Sequence, residues 1–405
     1  MLSLLLLLSD QGQVTLGEDV EASINPRGGA LRCEPSVGVS GNAVLVAWND
    51  SYGGKHGSQT GVCAGWSHSN DGGKSFNFGG YLTEREGVTA GADTRIARAG
   101  DGRLYLSVLS WFEKEHELRL YRFQDGRMTD LGQVATNGGT GYLDKPDFAI
   151  DGGRFALAYT RDGVIEYARS DDGKAWSRTS VSSTEKLSRS GSGVAVRGER
   201  VVVGWFEGGG IELDRLMVVN SHDGGKTFSP PSSVFVRESS ISTPAGFRMA
   251  PGPASVSFND VRLKFDDKGT AWLATLDVHE KKPRVVVYSS NDMLAWVRTD
   301  AVGTVDGAFF PDLAIVGGSP AVLSYGSDGT MTNCYLLHRG RQTCLSTVGS
   351  DWTKTAPDAD AAPIQRNFGD YISLASEGDK FVAAWTDGRS GLPRNRVRVG
   401  KFERE

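Results

Sequence analysis

Apolar residues recur along this chain in short runs, each preceded by a turn signal and closed by a polar or acidic residue. Ala43-Val44-Leu45-Val46-Ala47-Trp48 follows the turn Gly41-Asn42 and runs into Asn49-Asp50. Phe155 to Tyr159 follows Gly152-Gly153, and Val201 to Phe206 follows Gly198. No stretch carries the 3.6-residue period of a long amphipathic helix, so the pattern predicts strands joined by tight turns. The unit is an acidic or polar start, a strand, a Gly turn and a second strand. Its starts are Glu34, Asp93, Asp147, Gly193, Asp260, Asp312 and Asp370, about 45 to 65 residues apart. Seven starts at that spacing predict an all-β propeller of seven four-stranded blades. Six remain if two units share a blade. Gln13-Val14-Thr15-Leu16 is placed to supply the missing strand of the last unit and close the ring with the C-terminal run Arg396–Phe402.

A second pattern is superimposed on the first. Ser69-Asn70-Asp71-Gly72-Gly73-Lys74-Ser75-Phe76 and Ser221-His222-Asp223-Gly224-Gly225-Lys226-Thr227-Phe228 are nearly one octet. Ser170 to Trp176, with Asp172, is a residue shorter, and Ser290 to Trp296, with Asp292, is a worn copy. In each, the Asp carboxylate is suited to bond the backbone N–H groups just after it. Gly supplies the positive φ, and the aromatic folds back onto the apolar layer. Asp71, Asp172, Asp223 and Asp292 are therefore expected to be structural.

These octets resemble the Asp box, or BNR repeat, of the sialidase-like propellers. The resemblance implies a glycan-directed protein acting as an exo-α-sialidase-type glycoside hydrolase. The alternative is a non-catalytic propeller that binds a glycan or protein partner at the cell surface. A sialidase holds its substrate carboxylate with three arginines and uses a tyrosine nucleophile assisted by a glutamate, with an aspartate as acid/base. Thr94-Arg95-Ile96-Ala97 is similar to the Arg-Ile-Pro motif of the first arginine, with alanine in the place of proline. Carried over, Arg95, Arg262 and Arg366 or Arg389 would bind substrate, Tyr371 would be the nucleophile, Glu207 its partner and Asp50 the acid.

Topology places these residues. The starts of the first strands and the ends of the second are the free ends of one hairpin, so their acids share one face of the ring. The octets belong to the opposite face. A crowd of carboxylates at one mouth repels, shifts pKa values or holds a cation, which makes Ca²⁺ a candidate ligand and leaves no certain cofactor. Trp48, Trp205, Trp272 and Trp385 recur at one place on the second strand, as blade-to-blade packing would require. Trp352 falls outside that phase and is the better candidate for stacking on a sugar.

Bulk properties narrow the partners. A formal net charge of −5 disfavours nucleic acid and anionic membrane, and glycan or glycoconjugate is the expected partner of a monomer. The apolar start Met1 to Ser9 is too short to span a bilayer and reads as a truncated signal peptide over residues 1–10. A single propeller domain is expected over 11–405, exported to the periplasm, cell surface or medium without membrane insertion of the mature chain. The four cysteines fit export as two disulfides within repeats, Cys33 with Cys63 and Cys334 with Cys344. Four buried thiols are the other reading.

Overall fold

Alternation along each strand buries side chains between successive blades, and that demand shapes the ring. The computed structural model describes residues 13–26, 31–50, 62–82, 90–112, 115–183, 187–208, 214–237, 260–279, 282–299, 307–355 and 369–403. Within them lie twenty-eight strands, β1 to β28 in chain order, in seven four-stranded antiparallel sheets. Blade 1 is β2 (Arg32–Ser40), β3 (Ala43–Asp50), β4 (Cys63–Ser69) and β5 (Asn77–Tyr81). Blades 2 to 6 repeat that order. Blade 7 takes β26 (Ser373–Glu377), β27 (Lys380–Asp387) and β28 (Arg394–Phe402) from the C-terminus, and β1 (Val14–Glu21) as its outermost strand. The propeller therefore has seven blades and closes by pairing its two ends. Among the described residues no helix is long and apolar enough to cross a membrane.

Trp48, Trp205 and Trp385 are all buried at the same point of the second strand. Trp48 and Trp205 each belong to an apolar cluster drawn from two neighbouring blades, and Trp385 to one that spans blades 5 to 7. Replacing any one by alanine would cost about 3–5 kcal/mol. Trp352 is buried as well, packed onto Gly388 at the edge of blade 7, and has no face to offer a sugar.

The octets form tight turns between the third and fourth strands. Asp223 accepts from Ser221 Oγ at 2.8 Å, from the N–H of Lys226 and Thr227 at 3.0 and 2.9 Å, and from Thr227 Oγ1 at 2.6 Å. Asp71 repeats this bond for bond, while Asp172 and Asp292 keep the serine and the two backbone donors. Gly225, at φ 81°, has no room for a Cβ, which would lie 2.4 Å from the Tyr167 ring.

The structure forms neither expected disulfide: all four cysteines are reduced thiols. Cys33 on β2 and Cys63 on β4 are separated by β3, where they pair with Asn49 and Asp50. Two inter-strand spacings amount to roughly 9–10 Å, beyond the reach of a disulfide. Cys344 lies opposite Tyr335, one residue out of register with Cys334, so the two side chains leave opposite faces of the sheet.

The innermost strands carry the feature that builds the mouth. Five of them show a register shift just before Ser36, Arg95, Asp147, Gly193 and Asp312. Two residues before each stands a left-handed residue: Glu34 (φ 55°), Asp93 (φ 52°), Lys145 (φ 47°), Gly191 (φ 73°) and Phe310 (φ 50°). Such bulges re-aim a side chain, and at three of them proline follows (Pro35, Pro146, Pro311), giving up an N–H that the interrupted ladder does not use. Past the bulge, Ser36 and Asp147 accept the N–H of Ile96 and Val194 of the next blade, at 2.8 and 2.9 Å. Asp312 and Ser373 take Leu374 and Val37 in the same way, at 2.6 and 3.1 Å. Acids on this inner ring thus fasten blades together.

Candidate active site

Two tiers of charge line the axis. The lower tier joins Arg95, Asp147, Arg262 and Asp312 in one lattice. Arg262 lies 3.1 Å from Asp260, 3.4 Å from Asp312 and 3.8 Å from Asp147, and Arg95 lies 3.8 Å from Asp147. Burial works against the Arg262 charge, and the carboxylates of Asp260, Asp312 and Asp147 outweigh it, raising its pKa. On the octet side, the lattice forms the inner end of an axial cavity of about 360 Å³.

The upper tier, at the mouth, is a lysine among carboxyl groups. The bulge turns Lys145 inward, and its Nζ stands 2.8 Å from Asp370 Oδ2 and 3.9 Å from Asp93 Oδ1. Burial opposes its charge, but Asp370, Asp93, Glu34 and Asp144 together hold its pKa well above the usual lysine value. Glu34 accepts from Asn49 Nδ2 at 2.8 Å and from the Asp370 N–H at 3.1 Å. Burial pushes it well above the usual carboxylate range; Lys145 offsets part of this, and the charges of Asp370 and Asp93 add to it.

Asp93 hydrogen-bonds both Asp144 and Glu34. Its own burial would raise its pKa, yet Lys145 and these two bonds bring it below the usual value. Asp144 is pushed up to about 7 by burial and then by the Asp93 charge, with Lys145 acting the other way. One carboxyl group is therefore held ionised beside another that keeps its proton to neutral pH. Environments that drive two acids apart in this manner assign acid and base roles.

The residues drawn from the sialidase resemblance are not gathered in one place. Asp50 accepts from Trp48 Nε1 and Asn25 Nδ2, both at 3.0 Å, with Arg32 Nε 3.6 Å away in the same blade. Glu207 repeats the motif in blade 4, bonded to Trp205 Nε1 and Arg189 Nε, both at 3.2 Å. Arg389 lies on blade 7, bound to Asp387 and, at 2.7 Å, to Asp19 of β1. Arg366 lies outside the described residues, as does the segment 1–10. Arg95 and Arg262 do meet Tyr371: their guanidinium carbons are 3.7 and 5.9 Å from its ring centre. The ring is 1% exposed, and its hydroxyl is buried with no hydrogen-bond partner among the described residues. Burial, and after it the charges of Asp93 and Glu34, raise the phenol well above its usual pKa. Among the described residues no group of three ligating side chains is placed to hold a metal ion.

Lys145 and Asp144 are the site residues that the unit starts do not point to. A signal for them exists in Glu34-Pro35-Ser36, Lys145-Pro146-Asp147 and Phe310-Pro311-Asp312, a repeat that sets Lys145 in phase with Glu34.

No protein-family model matches the chain, and no curated protein is similar to it. Among solved structures it is similar to an α-L-arabinofuranosidase of Fusarium graminearum, at 13% identity over 95% of this chain and 97% of that one, with a TM-score of 0.53. An α-L-arabinanase of Penicillium chrysogenum matches at 14% identity over 82% and 99%, with a TM-score of 0.50. A Trypanosoma rangeli sialidase mutant gives 10% identity over 95% and 59%, with a TM-score of 0.48. Likeness at these identities establishes the propeller fold alone.

Proposed function

We propose that this chain is an exported, glycan-directed propeller that hydrolyses a glycosidic bond at the channel mouth with carboxyl groups. The observation that carries the reading is the pair Asp93 and Asp144 beside Lys145, one acid held ionised and the other protonated to about pH 7. Asp144 in its protonated form donates to the glycosidic oxygen as the C–O bond breaks. The carboxylate of Asp370, more open than Asp93, takes a proton from the water that adds to the anomeric carbon. Lys145 fixes Asp370 in place through their 2.8 Å ion pair. Two structural neighbours are named as an α-L-arabinofuranosidase and an α-L-arabinanase, which supports a neutral glycan as substrate.

The sialidase-type reading has one observation in its favour, the approach of Arg95 and Arg262 to Tyr371. Against it, both arginines are already paired with acids, and Glu207 and Asp50 are held in other contacts within blades 4 and 1. A fluorogenic panel holding an α-L-arabinofuranoside and an α-sialoside tests the proposal. Hydrolysis of the neutral glycoside, lost in Asp144→Asn, supports it. Hydrolysis of the sialoside alone, lost in Tyr371→Phe, replaces it with the sialidase type. Silence toward every glycoside from folded protein leaves the non-catalytic binding propeller.

A further inference from the structure

Beside the carboxyl cluster stand three aromatic rings that the chemistry proposed above does not use. Trp111 ends the second strand of blade 2, and His116 faces it across the pair at the start of the third. Tyr142 follows from the loop that leads into blade 3. The ring centres of Trp111 and His116 are 5.8 Å apart at 80°, and those of His116 and Tyr142 are 6.1 Å apart at 71°. Tyr142 is 47% exposed.

The group is held in place. The His116 N–H donates to Asn137 Oδ1 at 3.0 Å, and its Nδ1 accepts from the Leu143 N–H at 3.4 Å, which leaves the ring proton on Nε2. Asp162, itself left-handed at φ 50°, accepts the Tyr142 N–H at 2.7 Å, and its own N–H returns to the Tyr142 carbonyl at 3.1 Å. The Tyr142 hydroxyl donates to Asp144 Oδ2, so this phenol links the aromatic group to the proposed acid. A fixed, solvent-facing aromatic with a polar tip on the catalytic group is an arrangement suited to binding, since packing alone would bury the ring.

We infer that Trp111, His116 and Tyr142 form a second sugar-binding position, which takes an uncharged ring next to the residue cleaved at Asp144. The inference rests on the proposed function. Charge selects the ring: Asp144, Asp162 and Asp93 lie around the group, and Lys145 is already engaged by Asp370 and Asp93. An anionic sugar would meet these carboxylates. The apolar face of a neutral ring lies against the indole or phenol, and His116 Nε2–H is the donor for a ring hydroxyl.

Calorimetric titration of the full chain with a linear neutral arabinotriose, with arabinose and with 3′-sialyllactose tests this. The expected result is preferential binding of the neutral trisaccharide. Trp111→Ala and Tyr142→Ala each weaken it by about tenfold, the worth of one aromatic contact, and reduce its advantage over the monosaccharide. Tyr142→Phe, which keeps the ring and loses the bond to Asp144, retains most of the affinity and guards against loss of fold in the alanine variants. Trisaccharide binding that survives both alanine changes, or equal binding of sialyllactose, overturns the inference and leaves the proposed function standing. Absence of any glycan binding by the wild-type chain overturns both.

Discussion

The guanidinium carbon of Arg95 lies 3.7 Å from the centre of the Tyr371 ring, and the phenol beneath it is sealed from water. A tyrosine nucleophile needs its oxygen presented to substrate and its proton removed. Here the oxygen is buried without a partner among the described residues, and the phenol is shifted away from ionisation. The contact is a cation–π clamp between blades 2 and 7. Because a buried unsatisfied hydroxyl stabilises nothing, Tyr371→Phe should unfold at the same temperature as wild type or slightly above it. A drop of several degrees in thermal denaturation would show that the hydroxyl is bonded in solution.

Asp144 sets the pH response. Its proton is held to about pH 7, so hydrolysis should be level in mild acid and fall as pH rises through that value. Asp144→Asn should lose at least about a hundredfold in rate across the range. The same shift acts on stability. A carboxyl group whose folded pKa is raised favours the folded state below its unfolded value, and that contribution is lost as pH rises through about 7. Wild-type melting temperature should therefore fall more between pH 4.5 and pH 8 than that of Asp144→Asn, a comparison that scanning calorimetry makes directly.

Lys145 should be the most sensitive position at the mouth. Lys145→Met leaves Asp370, Asp93 and Glu34 crowded without their cation, at a cost of about 3–5 kcal/mol. Protonation relieves that repulsion, so the loss read by urea unfolding should be larger at pH 8 than at pH 5. Equal losses at both would mean that the lysine acts by packing alone.

The ring closes on Asp19, which Arg389 and Arg396 each approach to 2.7 Å. Burial works against this carboxylate, and bonds from Arg396, Thr347 and Arg389 still carry its pKa below the usual value. Its contribution is present above the unfolded pKa and disappears as pH falls through the lower folded one. Asp19→Ala should cost about 3 kcal/mol at neutral pH. It should also speed amide exchange in β1 and β28 ahead of the other blades; uniform exchange throughout would argue against a local latch.

The thiols give a chemical check. Cys344 is exposed, whereas Cys33, Cys63 and Cys334 are buried. Iodoacetamide should label Cys344 in the native protein and the other three only in denaturant. The intact mass should not change on reduction; a gain of two or four hydrogens would restore the disulfides expected from the sequence.

The propeller was legible in the sequence because its repeat is local. Turn glycines such as Gly41, Gly153 and Gly198, alternating apolar runs and the octets around Asp71 and Asp223 each report a hairpin, and β1 closes blade 7 as its apolar run requires. The site was less legible because it depends on register. Asp147 and Asp312 read in the sequence as acids of the mouth face, and only the bulge shows that they fasten Val194 and Leu374 of the next blade. The same bulge brings Lys145 to the axis, in phase with Glu34 but opposite in charge. Asp50 and Glu207 sit at the correct face, yet a tryptophan two residues earlier and an arginine on the paired strand claim them. Cys334 and Cys344 miss one another by a single residue of register, which no count of spacing reveals.

The central claim is that the carboxyl cluster around Lys145, and not Tyr371, carries the chemistry. The most direct measurement is the rate of release from aryl α-L-arabinofuranoside and aryl α-sialoside by wild type, Asp144→Asn and Tyr371→Phe at pH 6. Turnover of the neutral glycoside is expected, retained by Tyr371→Phe within about threefold and lost by Asp144→Asn by at least about a hundredfold. Turnover of the sialoside, abolished by Tyr371→Phe and indifferent to Asp144→Asn, would contradict it.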